Sequence, residues 1–365
     1  MPIKSVKQTN DNALEFEILD VDVSLVNALR RIILSEYPTV GFNTDDYLNS
    51  DLKISENTSF LHNEMLLHRI SLIPIHADAE KWESKKYEFS IQAENKTKIP
   101  LIVTSKDIVV VDTETQTKLD SNKFFPPNPI SKDHILIVVL KPNPGDEGQK
   151  IDIKGIASVG IGQMHSRYSP VCKATYQFIQ DKDRVKVALD QKLATAKDEE
   201  IDKVKLDFEL GDAQRHFKIN EKGQPNHYLF TLESIGVLPP QVIFNKSIKI
   251  ILDKLNNVQK ILEKIEAEDT DIDEGSLRMN TDSINETYTL TLKNETHTLG
   301  NVICKHASLI YSKDEMSYVG YKNPHPLKKF IQIDITPQPF TFENAKLYLN
   351  TICDRIKDIV STLNL

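Results

Sequence analysis

The chain has 365 residues, a length that allows two or three domains with well-buried cores. Its 53 acidic residues outnumber its 45 basic ones and give a net charge of −8, which disfavours binding of nucleic acid by the surface as a whole. Three widely spaced cysteines form neither a disulfide framework nor a zinc ligand set and favour a reducing intracellular compartment. We also expect neither a signal peptide nor a membrane segment, because no apolar run is long enough.

Two similar phrases stand near the ends of the chain, VSLVNALRRI and HTLGNVICKH. With Ser24 aligned on Thr298, residues of similar type also pair at Leu25/Leu299, Asn27/Asn301, Ala28/Val302, Leu29/Ile303 and Arg31/Lys305. TVGFN at 39–43 and YVGYKN at 318–323 then follow in turn. The pattern predicts two copies of one plan, strand, short helix, strands and long helix, which pack as a pseudo-dimer because neither copy buries its apolar helical face alone.

Each copy ends in a helix whose apolar residues recur at alternating steps of three and four. The first seam is Ile248, Ile251, Leu255, Val258, Leu262 and Ile265, and the second is Phe342, Ala345, Leu349, Ile352, Ile356, Ile359 and Leu363. This spacing is that of a heptad seam. Packing of each helix on its own sheet is the alternative for either seam alone, but the occurrence of both favours pairing.

Other segments indicate the domain limits. A large insertion is predicted to hold a helix around 60–70 and several strands, the polar region 181–224 is uninformative, and EKIEAEDTDIDE at 263–274 predicts a flexible linker or a solvated helix end. The prediction is an α+β chain with a first dimerisation domain at 1–43 and 151–266, an insertion domain at 44–150, a linker at 267–284 and a second dimerisation domain at 285–365.

Few motifs point to chemistry. GIGQMH at 160–165 lacks the third glycine of a dinucleotide loop and favours an exposed loop that presents His165, Arg167 and Tyr168 to a partner. Glu64 and His68 have the spacing of a helix-surface ion pair, and no nucleophile accompanies the histidine. Basic residues end the first short helix, where they either stabilise the helix C-terminus or bind another protein. The basic loop KNPHPLKK is predicted to be solvated.

At these residues the chain resembles the alpha-type subunits of RNA polymerases. NALRRIILSEYPTVGF is similar to the assembly motif of the bacterial alpha amino-terminal domain, the archaeal D subunit and the third subunit of eukaryotic RNA polymerase II. The likeness continues through NTSFLHNEMLLHRISLIPI, VTSKDIVVVD, GIASVGIGQMHSRYSPV and YLFTLESIGVLPP. LTLKNETHTLGN and VGYKNPHPL resemble the smaller partner, the archaeal L subunit or the eleventh subunit of RNA polymerase II.

The resemblance implies a non-catalytic assembly platform whose two halves, separate chains in the family, are fused as in polymerases of large DNA viruses. It implies binding to the second-largest subunit, further contacts with the largest subunit and small zinc-bearing subunits, and only indirect contact with nucleic acid. The implied partner-facing residues are Asn27, Arg30, Arg31, His68, Arg69, Gly160, Gly162, His165 and Tyr168. The implied internal pairing residues are Leu25, Leu29, Ile251, Leu255, Leu262, His297, Leu299, Asn301, Leu349, Ile352 and Ile356.

Location follows from the same resemblance: the viral factory in the host cytoplasm and the virion are expected, with the nucleus as an alternative. The sequence departs from eukaryotic third subunits because 43–150 contains no cysteine, so we predict no metal and no cofactor. Two rival functions remain at this stage. One is an enzyme with His68 or His165 as general base, and the other is a DNA-binding regulator, which the acidic balance disfavours.

Overall fold

The computed structural model describes residues 2–46, 48–142, 148–197, 201–265, 271–272, 275–280 and 286–365. The helices are α1 Val23–Ser35, α2 Asn63–Ser71, α3 Lys182–Leu193, α4 Ile201–Leu210, α5 Pro240–Lys264, α6 His297–Ile310 and α7 Phe342–Ser361. The strands are β1 Ile3–Asn10, β2 Ala13–Leu19, β3 Pro38–Gly41, β4 Leu52–Asn57, β5 Tyr87–Glu94, β6 Leu101–Thr104, β7 Val109–Asp112, β8 Lys118–Leu119, β9 Leu136–Leu140, β10 Lys150–Gly155, β11 Ser158–Ile161, β12 Val171–Phe178, β13 His227–Ser234, β14 Asp271–Ile272, β15 Gly275–Asn280, β16 Thr287–Lys293, β17 Met316–Lys322 and β18 Phe330–Pro337. Helices beside antiparallel sheets confirm the predicted α+β class.

The chain divides into two compact units. The first, called the repeat unit, consists of Met1–Ile33, Lys173–Glu233 and Pro240–Leu365, and it contains the second predicted copy and most of the first. The second, called the insertion unit, consists of Leu34–Cys172 and Ser234–Pro239. Residues 34–43 and 151–172, which the sequence analysis assigned to the first dimerisation domain, thus lie in the insertion unit. The domain limits drawn from the sequence stay a prediction.

The repeat unit contains two sheets of the same strand order. The first sheet has the order β1-β2-β13-β12 and the second has β15-β16-β18-β17, with β14 added outside β15. A short helix follows the second strand of each set, α1 after β2 and α6 after β16, and a long helix follows the last, α5 after β13 and α7 after β18. This agreement confirms that the chain carries two copies of one plan.

The two short helices bury equivalent positions. With Ser24 aligned on Thr298, every buried residue of α1 falls on a buried residue of α6. The buried pairs are Ser24/Thr298, Leu25/Leu299, Val26/Gly300, Ala28/Val302, Leu29/Ile303, Ile32/His306 and Ile33/Ala307. The repeated phrase therefore encodes one apolar face twice.

These short helices lie antiparallel. Near the end of α1, Arg31 Nε donates a hydrogen bond of 2.8 Å to Thr298 Oγ1 in the first turn of α6. At the other end, the carboxylate of Asp22 lies close enough to His306 to raise its pKa against the larger lowering effect of burial. Residue numbers rise on one helix as they fall on the other, which is the relation that a twofold axis imposes.

The long helices α5 and α7 also pair antiparallel. Lys346 Nζ donates 2.8 Å to the carbonyl oxygen of Ile265, Gln259 Nε2 donates 2.9 Å to Asp354 Oδ1, and Asn245 Nδ2 donates 3.0 Å to the carbonyl oxygen of Leu365. The fully buried seam residues are Ile248, Ile251, Leu255, Val258, Leu262, Ile265, Ala345, Leu349, Ile352, Ile356 and Leu363. Two predicted seam residues, Phe342 and Ile359, are only partly buried. The apolar stripes thus meet inside one chain, which is the predicted intramolecular pseudo-dimer.

The predicted linker contains part of the second copy. Of the predicted linker at 267–284, residues 267–270, 273–274 and 281–284 lie outside the described residues. Gly275–Asn280 forms β15, which pairs with β16 from Gly275/Leu292 to Asn280/Thr287. β15 occupies the place that β1 holds in the first copy. Leu277 explains the strand, because its side chain is fully buried, whereas Met279, the other large apolar residue of the segment, is exposed. Residues 275–280 of the predicted linker thus form a strand of the second sheet.

The polar region 181–224 contains two helices. α3 begins after Asp181, whose carboxylate accepts hydrogen bonds from the amides of Asp183 and Arg184, and it buries none of its residues. α4 buries only Phe208. Few apolar anchors explain why periodicity did not predict these helices.

The insertion unit has its own core. A sheet of order β4-β10-β5-β7-β8 and the two-stranded sheets β3/β11 and β6/β9 enclose it, together with α2. Aromatic rings pack at its centre, with the Phe42 and Phe89 centroids 5.2 Å apart and edge to face. The predicted helix near 60–70 is observed as α2, and its apolar residues Leu66, Leu67 and Ile70 are buried.

Candidate partner-binding site

A small polar cavity lies between α1 and α6. It has a volume of about 210 Å³, and its lining residues are Ser24, Asn27, Ala28, Arg31, His297, Thr298, Asn301 and Tyr321. The cavity brings together residues that the sequence analysis had divided between partner binding and internal pairing. His297 and Asn301 are exposed, so they stand at the margin of the helix pair and not in its buried seam.

The two arginines of α1 have different local partners. Arg30 donates from Nε and Nη2 to Asn27 Oδ1 at 3.0 and 2.9 Å, which holds both side chains along one face of α1. Arg31 is exposed and bonds to Thr298 across the helix pair. Its guanidinium thus links the two copies as well as facing outward.

The glycine loop packs around a buried tyrosine. A Cβ added at Gly160 would lie 2.5 Å from the ring of Tyr168, and one at Gly41 on the paired strand would lie 3.0 Å from it. Tyr168 is 1% exposed, and its carbonyl oxygen accepts a 2.8 Å bond from Thr39 Oγ1. The expectation of an exposed Tyr168 is therefore wrong, because the glycines on β3 and β11 let the ring lie flat against the backbone.

Gly162 has a similar steric role. A Cβ at this position would lie 2.0 Å from the carbonyl oxygen of Leu34, and the amide of the next residue, Gln163, donates 2.8 Å to the carbonyl oxygen of Ser35. The close approach of two backbones thus requires a residue without a side chain. Gly160 and Gly162 shape the loop, and the side chains around them form its surface.

Arg167 is buried beside the tyrosine. Its side chain is 1% exposed, and Nη1 donates to the carbonyl oxygen of Phe42 at 2.6 Å and to Thr44 Oγ1 at 3.1 Å. Nη2 pairs with the carboxylate of Asp45. The expectation of an exposed Arg167 is also wrong, since its fork satisfies main-chain and side-chain oxygens within the insertion unit.

His165 is partly buried, and its ring begins a short helical turn. Its Nδ1 accepts the amide N–H of Arg167 at 3.1 Å. Burial lowers the pKa of His165, the positive charge of Arg167 lowers it further, and the carboxylate of Asp45 opposes this lowering. The electrostatic effect of His68 on His165 indicates that the two side chains lie near each other, and Met164, next to His165 in sequence, is 62% exposed.

Residues at the end of α2 complete this side. His68 is exposed. Arg69 donates from Nε to the carbonyl oxygen of Ile137 at 2.9 Å and from Nη2 to that of Leu136 at 3.0 Å, so it attaches α2 to β9. We call the side formed by His68, Met164 and His165 the histidine face.

Replacing Gly160 with Ala should destabilise the insertion unit by about 1–3 kcal/mol, because the new methyl group overlaps a ring that has no room to move. The matched change is Gly211→Ala, where the nearest atom to the new Cβ is 3.4 Å away. Urea unfolding of both variants measures the difference. Equal unfolding midpoints for the two would contradict the packing of Tyr168 on Gly160.

A buried histidine distinguishes the two copies. His306 on α6 is 3% exposed, whereas its counterpart on α1 is Ile32. Burial lowers its pKa, the Asp22 carboxylate opposes this, and Lys305 adds to the lowering. Nε2 has no hydrogen-bond partner among the described residues. Sequence reasoning gave His306 no role, although the alignment of the repeats marks it as the polar residue at an apolar position.

Stability should fall as the pH drops from 7 toward about 5, and His306→Ile should reduce that dependence. Below pH 6.5 the histidine of the unfolded chain binds a proton, whereas the folded histidine stays neutral until the pH falls to its lowered pKa. Isoleucine is the residue that the other copy holds at this position. Chemical unfolding at a series of pH values measures the slope, and an unchanged slope in the variant would contradict the assignment.

The described residues show no metal-binding cluster, two thiols of raised pKa and no membrane-spanning helix. No cluster of three or more histidine, cysteine or acidic side chains in those ranges is arranged to hold a metal ion. Burial raises the pKa of the Cys304 and Cys353 thiols to about 12. No described helix is long and apolar enough to cross a membrane.

Comparison with known proteins identifies the same family in both parts of the chain. Two family profiles, each described as the RNA polymerase Rpb3/Rpb11 dimerisation domain, match residues 15–255 and 287–364. The chain is 28% identical to the DNA-directed RNA polymerases I and III subunit of Dictyostelium discoideum over 70% of this chain and 80% of the relative. It is 27% identical to the human counterpart over 72% and 84%. It is also 27% identical to the RNA polymerase subunit Rpo3 of Pyrococcus furiosus, over 71% and 97%.

Proposed function

This chain belongs to the RNA polymerase Rpb3/Rpb11 dimerisation-domain family, and we propose that its paired halves form the platform on which a multisubunit DNA-directed RNA polymerase assembles. It is an alpha-type assembly subunit and acts in transcription. The observation that carries the proposal is the antiparallel pairing of α1 with α6 and of α5 with α7 inside one chain. Relatives of the third-subunit type match about 70% of the chain.

Fusion of the halves removes one step of assembly. The covalent connection between α5 and β15 holds the second half at an effective concentration of about the millimolar range. The two apolar seams therefore meet without a separate partner chain. We also propose that this arrangement belongs to the polymerase of a large DNA virus, located in cytoplasmic factories and virions, with the nucleus as the alternative. Immunolocalisation in infected cells tests this, and a purely nuclear signal would contradict the factory location.

The first partner is the second-largest polymerase subunit, and the histidine face is its proposed contact in the insertion unit. His68 and Met164 are exposed, and His165 is half-buried beside them. Tyr168, Gly160 and Gly162 shape the loop that carries His165, and Arg69 attaches α2, which carries His68, to β9. In the repeat unit the contact is proposed at Asn27, Arg30 and Arg31. The largest subunit and small zinc-bearing subunits are proposed to join later.

Co-purification tests the proposal. The full chain and the second-largest subunit of the same polymerase are expressed together with a tag on one of them, and we expect both to elute at equal stoichiometry. Absence of the second subunit from the eluate would refute the platform function.

The histidine face has its own test. His68→Glu combined with Met164→Glu should weaken this association about tenfold or more. Both native side chains are exposed, and the two glutamates that replace them add negative charge at the contact. Leu48→Glu combined with Ile130→Glu is the matched control, because Leu48 and Ile130 are 84% and 91% exposed in the insertion unit and lie outside the face as defined. Equal recovery of the second-largest subunit with both variants would show that the histidine face is not part of the interface.

Catalysis is not part of the proposed function. His165 already uses Nδ1 to accept a backbone N–H, and His68 lies on the open surface. A purified single-chain activity that is lost on His68→Ala or His165→Ala would overturn this view. Nucleic acid is proposed to meet the chain only through the complex, so filter binding by the isolated chain should show no steep dependence on salt.

A further inference from the structure

A cleft of about 810 Å³ opens in the repeat unit between turns and helix ends. Four elements line it: the turn from β2 to α1 at 20–22, the turn at 220–226, the end of α6 at 306–310, and α7 at 355–359. A neighbouring cleft of about 450 Å³, which shares Asp20, Val21, Asp358 and Ile359, continues along α7. Together they have the volume of a site for a ligand larger than a single side chain.

The floor and the rim of this cleft differ in chemistry. Apolar side chains of Val21, Leu309, Ile310 and Ile359 form the floor. The acidic rim residues are Asp20, Asp22, Glu221 and Asp358, and the basic rim residues are Lys222 and Arg355. Excess negative charge around an apolar floor favours an occupant with apolar anchors and flanking positive charges.

The walls of the cleft are preorganised. Asp20 adopts a positive φ of 58°, and its carboxylate accepts 2.7 Å from Asn226 Nδ2 while its amide donates 2.9 Å to the carbonyl oxygen of Asn226. Across the turn, Asn220 Oδ1 accepts the amides of Lys222 and Gln224 at 2.9 and 3.0 Å. Walls held by side-chain bonds lose little entropy when an occupant binds.

The equivalent place in the other half is closed. There Lys254 of α5 pairs at 2.8 Å with Glu295, which stands before α6, and the two side chains are only 20% and 13% exposed. When the long helices are aligned by their buried seams, with Ile248 on Leu349, Leu255 falls on Ile356 and Lys254 on Arg355. Arg355 instead lines an open cleft before α1. Of the two equivalent places, the one before α6 is closed by an ion pair and the one before α1 is an open cleft.

His306 adds an independent indication. It borders the open cleft, is 3% exposed, and its Nε2 has no hydrogen-bond partner in the described part of the chain. The counterpart of His306 in the other copy is the apolar Ile32. A buried polar atom without a partner is unfavourable, and an occupant that supplies a hydrogen bond removes that penalty.

We propose that this cleft binds an extended segment of another polymerase subunit, in which apolar side chains alternate with or are flanked by lysine and arginine. The apolar side chains cover Val21, Leu309 and Ile310, and the cations meet the acidic rim. This inference rests on the proposed membership of the chain in a polymerase. It goes beyond that function because it assigns a second docking site, in the repeat unit and distinct from the histidine face.

Photo-crosslinking in the assembled polymerase tests the site. The probe is p-benzoylphenylalanine in place of Asp358, introduced into the full chain, with the same probe in place of the exposed Asp133 as control. We expect position 358 alone to crosslink to another subunit at a peptide containing apolar and basic residues. A crosslink to an acidic peptide, a crosslink back to this chain, or none at all would overturn the inference.

Charge reversal gives the second measurement. Glu221→Lys with Asp358→Lys should reduce recovery of the crosslinked subunit about tenfold, whereas Glu114→Lys with Asp133→Lys, which changes the net charge equally at exposed positions, should leave it unchanged. Equal effects of the two double variants would mean a response to net charge alone and would refute the site. If the chain fails to co-purify with any polymerase subunit, the proposed function fails; if it co-purifies without the crosslink, only this inference fails.

Discussion

Leu255→Asp should unfold the repeat unit under conditions in which the unchanged chain is folded. Leu255 lies at the centre of the α5 seam against α7 and is fully buried. A carboxylate at this position loses its hydration without gaining a cationic partner, in addition to the lost apolar burial. The combined cost is comparable to the whole stability of a typical domain, about 5–15 kcal/mol.

A milder change keeps this prediction measurable. Leu255→Ala should reduce the free energy of unfolding by about 2–5 kcal/mol, as expected for a large-to-small change in a packed core. Asn257→Asp is the matched control, since it introduces the same acidic residue on the exposed side of α5. Urea unfolding followed by circular dichroism compares the three variants. A Leu255→Asp chain as stable as the Asn257→Asp chain would contradict the pairing of the long helices.

Arg167→Met should destabilise the insertion unit by about 3–5 kcal/mol, which is the cost of removing one partner from a buried charged network. The guanidinium holds the carbonyl oxygen of Phe42, the hydroxyl of Thr44 and the carboxylate of Asp45, and methionine leaves these oxygens without their donor. The Arg167 side chain is 1% exposed, so its bonds to Phe42 and Thr44 lie in its buried surroundings, whereas the Asp45 side chain is 52% exposed and can be hydrated.

A second arginine provides the control for this result. Arg184 also donates to a main-chain carbonyl, that of Phe217 at 2.9 Å, but it is exposed. Arg184→Met should therefore cost about 1 kcal/mol or less. Urea unfolding of both variants decides the matter, and equal losses would show that the buried network around Arg167 adds no stability. Arg167→Lys should restore only part of the loss, because an ammonium group does not reproduce the planar fork.

The parts of the fold that sequence predicted are those with a local periodic signal. The repeated phrase indicated α1 and α6, and the three-four stepping indicated α5 and α7, because a buried helical face must carry apolar residues at that spacing. β15 gave no such signal, since only Leu277 within Gly275–Asn280 is an apolar residue that the sheet buries completely. Its strand conformation depends on pairing with β16, which the segment's own composition does not reveal.

The candidate site was predicted less well, for a related reason. A glycine-rich loop indicates backbone freedom but not what fills the space beside it, so Tyr168 and Arg167 were expected at the surface. Their burial depends on Gly41 and Phe42, which lie far away in sequence and meet them through the pairing of β3 with β11. His306 carried a usable signal, because it is a polar residue aligned with Ile32 in the repeat.

The mass of the isolated chain in solution tests the central claim most directly. If the two copies close their seams on each other within one molecule, light scattering should give 41.6 kDa over a wide range of concentrations. Leu255→Asp should then yield an unfolded or aggregated chain and not a change to another defined oligomer. A stable species of twice that mass, formed by the unchanged chain at low concentration, would mean that the copies pair between chains and would contradict the intramolecular pseudo-dimer.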